Sequence, residues 1–174
     1  MRINANYRLA SQFKIPNFPM STALFIGRFQ PFHLGHLSVI KTILQENDFL
    51  VIGIGSAEKS RTSQNPFTAS ERWGMITATL DVEKIPRKKY TIIPIRDIND
   101  YSRWVKHVVN LVPPFDCVYT GSPIVKKLFK KHGKYPIVPI KILKGITATH
   151  VRNALEQNKN WQKFLPPAIV KFLI

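Results

Sequence analysis

From Thr22 onward, short runs of β-branched and aromatic residues alternate with longer amphipathic stretches. Parallel strands joined by crossover helices give this pattern. Residues 23–26, 49–54, 90–95 and 117–120 read as strands, with a fifth at 135–138. A first helix is expected over about residues 34–45, where Leu37, Ile40, Lys41 and Leu44 recur at helical spacing and Lys41 lends its aliphatic stem. Thr68-Ala69-Ser70-Glu71 forms a capping box, so a second helix should start there and reach Leu80. A third is expected over residues 101–111, stopped by Pro113-Pro114, and a fourth opens at Ser122 with Pro123 in its first turn. Two more follow, near Thr147 and after Pro166-Pro167. There is no internal repeat. The expected fold is α/β, a doubly wound, Rossmann-like domain with a parallel five-stranded sheet and helices on both faces. Such sheets bind ligands beyond the carboxyl ends of the strands, where the strand order reverses, so the loops after each strand matter most.

Length and composition narrow the picture. A chain of 174 residues that is 44% hydrophobic suits one compact domain. We assign residues 22–174 to it and residues 1–21 to an N-terminal extension, which holds Arg2, Arg8 and Lys14, no acidic residue, and no apolar core of the secretory kind. No apolar run approaches the length of a membrane span. The single cysteine, Cys117, excludes an internal disulfide and fits a reducing, cytoplasmic setting; inside a strand it reads as a small buried hydrophobe. Lys and Arg outnumber Asp and Glu by 26 to 10, a net charge of +16 that attracts polyanions at low salt. The lysines are scattered, however, and the densest cluster is Lys126, Lys127, Lys130 and Lys131 on an expected helix. That arrangement reads as a solvated face rather than a nucleic-acid site.

The loop after the first strand concentrates chemistry. Gly27-Arg28-Phe29-Gln30-Pro31-Phe32-His33-Leu34-Gly35-His36 combines a glycine turn, a cation and two imidazoles three residues apart, directly after a strand and opening a helix. Residues at that spacing share a helix face, so both rings can address one anion. The helix start adds unpaired N–H groups and the positive end of its dipole, and Gly35 leaves room for a ligand near the backbone. Zinc would need three or four protein ligands, and His107, His132 and His150 show no matching spacing.

These residues resemble the nucleotidylyltransferase superfamily, marked by His-x-Gly-His after the first strand and a Ser/Thr-rich motif ending in Arg near the C-terminus. Within it the chain is most similar to the archaeal-type nicotinamide-mononucleotide adenylyltransferases. The likeness continues through Ile52-Gly53-Ile54-Gly55-Ser56-Ala57, Asn65-Pro66-Phe67-Thr68-Ala69 with Glu71-Arg72, Ile93-Pro94-Ile95-Arg96-Asp97-Ile98, Trp104, and Pro113-Pro114-Phe115-Asp116. It covers roughly residues 22–170.

The resemblance implies transfer of adenylate from ATP to nicotinamide mononucleotide (NMN), giving NAD and pyrophosphate, with Mg²⁺ carried mainly by the ATP phosphates. It implies catalytic roles for His33, His36, Arg28 and Arg152. ATP contacts are implied at Gly27, Phe29, Gly35, Ser56, Gly121, Thr147 and Thr149, and NMN contacts at Asp97, Ile98 and Trp104, the indole stacking on the nicotinamide. It also implies a homo-oligomer, a hexamer by family likeness. The last motif departs from the pattern: Ile146-Thr147-Ala148-Thr149-His150-Val151-Arg152 has Ala148 where the family has glycine. If that glycine needs a positive φ or a close phosphate, the methyl group should weaken ATP binding. His150 in the variable slot reads as a surface residue. Gln64 and Tyr101 also depart, from a basic residue and an asparagine. Two rival readings remain at this point: another acceptor, such as phosphopantetheine or flavin mononucleotide, or a basic nucleic-acid-binding protein on an inactive scaffold.

Overall fold

The computed structural model describes residues 21–173 apart from 142 and 144, so most of the proposed extension lies outside the described residues. Its strands are β1 (Thr22–Gly27), β2 (Phe49–Ile54), β3 (Tyr90–Pro94), β4 (Cys117–Tyr119) and β5 (Ile137–Val138). All pair in parallel, in the order β3-β2-β1-β4-β5. The described helices are α1 (Leu34–Glu46), α2 (Ala69–Val82), α3 (Tyr101–Leu111), α4 (Pro123–His132), α5 (Ala148–Glu156) and α6 (Pro167–Leu173). Short 3-10 turns at Arg87–Lys89 and Trp161–Phe164 were not foreseen from the pattern.

Strand alternation divides the core in two. Ala23 and Phe25 of β1 and Leu50, Ile52 and Ile54 of β2 face one side, where α1, α2, α5 and α6 pack. Leu24 and Ile26 of β1 and Val51 of β2 face the other, against α3 and α4. Each large apolar side chain removed from water in this way contributes about 1.5–3 kcal/mol. Helices therefore cover both faces, as expected of a doubly wound sheet.

Local signals set the helix ends. Thr68 and Glu71 form the anticipated capping box, Ser122 caps α4 with Pro123 in its first turn, and Thr147 caps α5. Gly133 closes α4 in the left-handed conformation at φ 76°. One detail of α1 differs from expectation: Leu37, Val39, Ile40 and Ile43 form its buried stripe, while Lys41 is exposed and reaches Glu83 at 2.6 Å. The fifth strand is also shorter than expected, because Tyr135 stacks on Phe115, with ring centroids 4.3 Å apart, ahead of the ladder. Cys117 is half-buried, and burial pushes its thiol pKa up.

Candidate active site

Strand order runs outward from β1 to β3 in one direction and through β4 to β5 in the other, so the sheet's switch point lies between β1 and β4. A cavity of about 730 Å³ opens beyond the carboxyl ends of these strands, within the size range of ligand sites. Gly27 lines it at the end of β1, Ser56 after β2, Asp97 after β3 and Gly121 after β4, while Thr147, the cap of α5, and Arg152 within that helix enter from the far end of the chain. Residues more than a hundred positions apart thus meet at one mouth.

His33 and His36 build the start of α1 out of their own rings. His33 is the N-cap, with extended backbone (φ −143°, ψ 171°), and its Nδ1 accepts the His36 N–H at 3.3 Å. His36, at the third helical position, returns the favour through Nδ1 to the His33 N–H at 3.2 Å. This is a capping box made from imidazoles, so the two residues meet as cap and partner rather than as two positions on one helix face. The rings stack at 3.6 Å between centroids and 16° between planes. Burial lowers the His33 pKa from 6.5 to about 4. Burial, then the neighbouring His33, hold His36 well below its ordinary value.

Protonation and geometry agree on the outcome. Both Nδ1 atoms accept hydrogen bonds, so each neutral ring carries its proton on Nε2. Neither Nε2–H has a protein partner among the described residues. The site therefore presents two neutral donors to the cavity. Phe29 backs them edge-on, its centroid 4.8 Å from that of His36. A Cβ on Gly35 would lie 3.0 Å from the His33 ring atoms Cε1 and Nδ1, so glycine there leaves space for the imidazole.

Two arginines share the cavity with this pair. Arg152, 9% exposed, donates from Nη1 to the Gln30 carbonyl at 2.9 Å and from Nη2 to Thr149 Oγ1 at 3.2 Å. Gln30 is itself buried and pairs both ends of its amide with the Phe67 backbone, at 2.8 and 2.9 Å. Arg28 is exposed at the mouth and lines both this cavity and a neighbouring one of about 430 Å³. Burial, then Arg28, lower the Arg152 pKa, as expected of clustered guanidinium groups awaiting an anion.

The opposite end of the cavity has a different character. Asp97 accepts from Ser56 Oγ and from Lys59 Nζ, each at 2.9 Å, and donates its own N–H to Glu58. The Lys59–Asp97 hydrogen bond is the main cause of a raised Lys59 pKa. Trp104 on α3 borders the cavity and also meets Phe129 edge-to-face at 6.1 Å and 86°. It is both a core residue and a wall of the site.

The structure brings together all but two of the site residues expected from sequence. Thr149 lines the smaller cavity, and Ile98 lines neither, its side chain packing on the α3 side of the core. Sequence reasoning missed Lys59, Gln30 and Arg72. Lys59 carried a signal, three residues after Ser56 in the loop after β2. Gln30 and Arg72 carried none beyond their place in family-like runs. Ala148 is the first residue of α5 and has no positive φ, so the methyl group meets no backbone penalty. His150 is exposed, its Nδ1 2.6 Å from the Gly145 carbonyl, and its ring lies against Phe164. Among the described residues no group of three or more His, Cys, Asp or Glu is placed to hold a metal ion, and no helix is long and apolar enough to cross a membrane.

A parallel sheet whose switch point holds paired neutral imidazoles and converging guanidinium groups is the architecture of a nucleotidyl-transferring enzyme, and the chain belongs to the cytidylyltransferase-like family, which matches residues 24–154. More particularly, it is 46% identical to the nicotinamide-nucleotide adenylyltransferase of Thermoplasma volcanium, over 87% of this chain and 84% of that protein. Likeness to the enzyme of the same name from Archaeoglobus fulgidus is 43% identity over 87% of this chain and 89% of its relative. A Francisella tularensis bifunctional NMN adenylyltransferase/ADP ribose pyrophosphatase, solved with AMP and a manganese ion, shares the fold at a TM-score of 0.75 and 24% identity. That match covers 88% of this chain and 48% of the other, so the chain spans about half its length.

Proposed function

We propose that the protein is a nicotinamide-nucleotide adenylyltransferase: it transfers AMP from ATP to NMN and yields NAD and pyrophosphate. One observation carries the reading. A single cavity joins a phosphate-binding end, with His33, His36, Arg28 and Arg152, to an acceptor end walled by Trp104 and Asp97. The identity to nicotinamide-nucleotide adenylyltransferases over most of the chain supports the choice of acceptor.

The NMN phosphate oxygen attacks the α-phosphorus of ATP in line; the new P–O–P bond forms as the bond to pyrophosphate breaks. No protein nucleophile takes part. Catalysis consists of positioning and of neutralising charge that moves onto the leaving group. The Nε2–H groups of His33 and His36 donate to the phosphates, and Arg28 and Arg152 complement them as planar forks. Trp104 offers a flat face to the cationic nicotinamide ring, a contact worth about 0.5–2 kcal/mol. Carboxylates near the cavity, Asp97 and Asp100, sit at the acceptor end and are already hydrogen-bonded. This donor set fits Mg²⁺ held by the triphosphate and water, where it neutralises phosphate charge. A homo-oligomer, hexameric by family likeness, and a cytoplasmic setting complete the proposal.

The test incubates the protein with ATP and, separately, NMN, nicotinic acid mononucleotide, phosphopantetheine and flavin mononucleotide, and follows pyrophosphate. NAD formed from NMN is the expected result. Release with only phosphopantetheine or the flavin, or with no acceptor, would overturn the assignment.

A further inference from the structure

Arg72 is the largest wholly buried side chain among the described residues, 0% exposed, and it has no ion pair with a carboxylate among them. Its guanidinium donates, among the described residues, to main-chain carbonyls only. Nη1 reaches Arg28 O and Gly55 O, each at 2.8 Å, Nη2 reaches Ser56 O at 3.2 Å, and Nε reaches Thr68 O at 3.1 Å. Arg28 lies just past the end of β1, and Gly55 and Ser56 just past the end of β2. One side chain therefore ties together two loops that line the cavity, one leading to His33 and His36 and the other carrying Ser56 to Asp97.

Backbone conformation shows why these loops need a tie. Phe29 and Ser56 both have left-handed backbone, at φ 52° and 48°, a conformation unfavourable for residues with a Cβ. The peptides immediately before them present the Arg28 and Gly55 carbonyls, the two that Arg72 Nη1 holds. Phe29 in turn backs His36, and Ser56 anchors Asp97. A fixed fork of donors matches several carbonyls at set angles, which an ammonium group cannot do. The charge itself is shared only with the carbonyl dipoles and, at longer range, with Glu58.

We propose, resting on the adenylyl-transfer reading, that Arg72 is a positioning residue: it locks the two left-handed turns so that the loops after β1 and β2 hold the triphosphate in register with the acceptor. It touches no reacting atom. Its effect should fall on the phosphates and spare the adenosine end.

The experiment compares wild type, Arg72→Met and Arg72→Lys, at a temperature well below each variant's Tm. It measures kcat and KM for ATP in NAD formation, and calorimetric Kd for ATP and for AMP. The expected result for Arg72→Met is a kcat lowered by about 100-fold, the scale of a small misplacement of reacting groups, and an ATP affinity lowered by about 10-fold with AMP affinity little changed. Arg72→Lys should fall between, since an ammonium group can satisfy only some of the four carbonyls. A folded Arg72→Met with kcat within about three-fold of wild type overturns the proposal. So does a parallel loss of ATP and AMP affinity, the mark of a purely structural role. Failure of both variants to fold assigns Arg72 to stability alone and overturns it too. A failure of the functional reading would appear separately, as wild-type protein that binds no ATP or makes no NAD.

Discussion

Exchanging both imidazoles for residues that keep their capping geometry separates what the rings do for the fold from what they do for the substrate. In His33→Asn/His36→Gln the asparagine can accept the N–H at position 36, and the glutamine can reach back to the N–H at position 33, so the capping box survives. What disappears is titration. The folded pKa of His33 is about 4 against 6.5 when unfolded, so the unfolded chain takes up a proton first as pH falls. Stability is fully present above about pH 7.5 and is lost as pH drops through 6.5 toward 4. At 1.36 kcal/mol per unit, His33 alone should cost the fold about 2.5 kcal/mol by pH 4.5. His36, also depressed, pushes the same way. For a chain of this size that corresponds to a fall in Tm of roughly 5–10 °C. The depressed carboxyls, Glu71 and Asp100, begin to lose their contribution only near their ordinary values of 4.5 and 3.8, at the lower edge of this window, and are common to wild type and variant. Thermal unfolding followed by circular dichroism at pH 7.5 and 4.5 reads the effect directly. The wild type should show the fall and the double variant a much smaller one, with the other three histidines common to both. Turnover of the variant at pH 7.5 should drop by at least about 10²-fold, the cost of lost transition-state donors. A wild-type Tm that stays level over this range, or a variant that falls as steeply, refutes the reasoning.

Two further substitutions probe the packing of the site. Gly35→Ala places a methyl group 3.0 Å from the His33 ring, which is stacked on His36, so kcat should fall by about 10-fold or more with secondary structure intact; steady-state kinetics with undiminished turnover would show that the ring has room to move. Ala148→Gly restores the residue usual in the family, yet position 148 is already helical, so the change should leave KM for ATP within about three-fold and lower stability by up to about 1 kcal/mol. A large gain in ATP affinity, measured by calorimetry, would mean that the methyl group does obstruct the phosphates.

Much of the architecture was legible because periodicity and caps agree at each element. Alternation in residues 22–27 already separates Phe25 from Leu24 and Ile26, and the sheet places them on opposite faces. Thr68 with Glu71, and Ser122 with Pro123, mark helix starts that the structure keeps to the residue. The cluster of imidazoles and cations was visible, but its geometry was not, since histidine is an unusual N-cap and nothing in the spacing separates a cap from a shared face. Arg72 was opaque for a different reason. A Glu-Arg pair near a helix start looks like surface charge, and only the approach of the two loops after β1 and β2 to the start of α2 turns the arginine inward. Ile98 came from a family-like run that implied a contact through the backbone around it, and its side chain packs on the core.

The cavity draws its walls from stretches that lie far apart in the chain. In the proposed reading the end of β1, the start of α1 and Arg152 of α5 serve the phosphates, while the loop after β3 and helix α3 wall the acceptor. On that reading, exchanging side chains of that one helix should change the choice of acceptor and leave the transfer step intact, so that products vary on a scaffold whose chemistry stays constant.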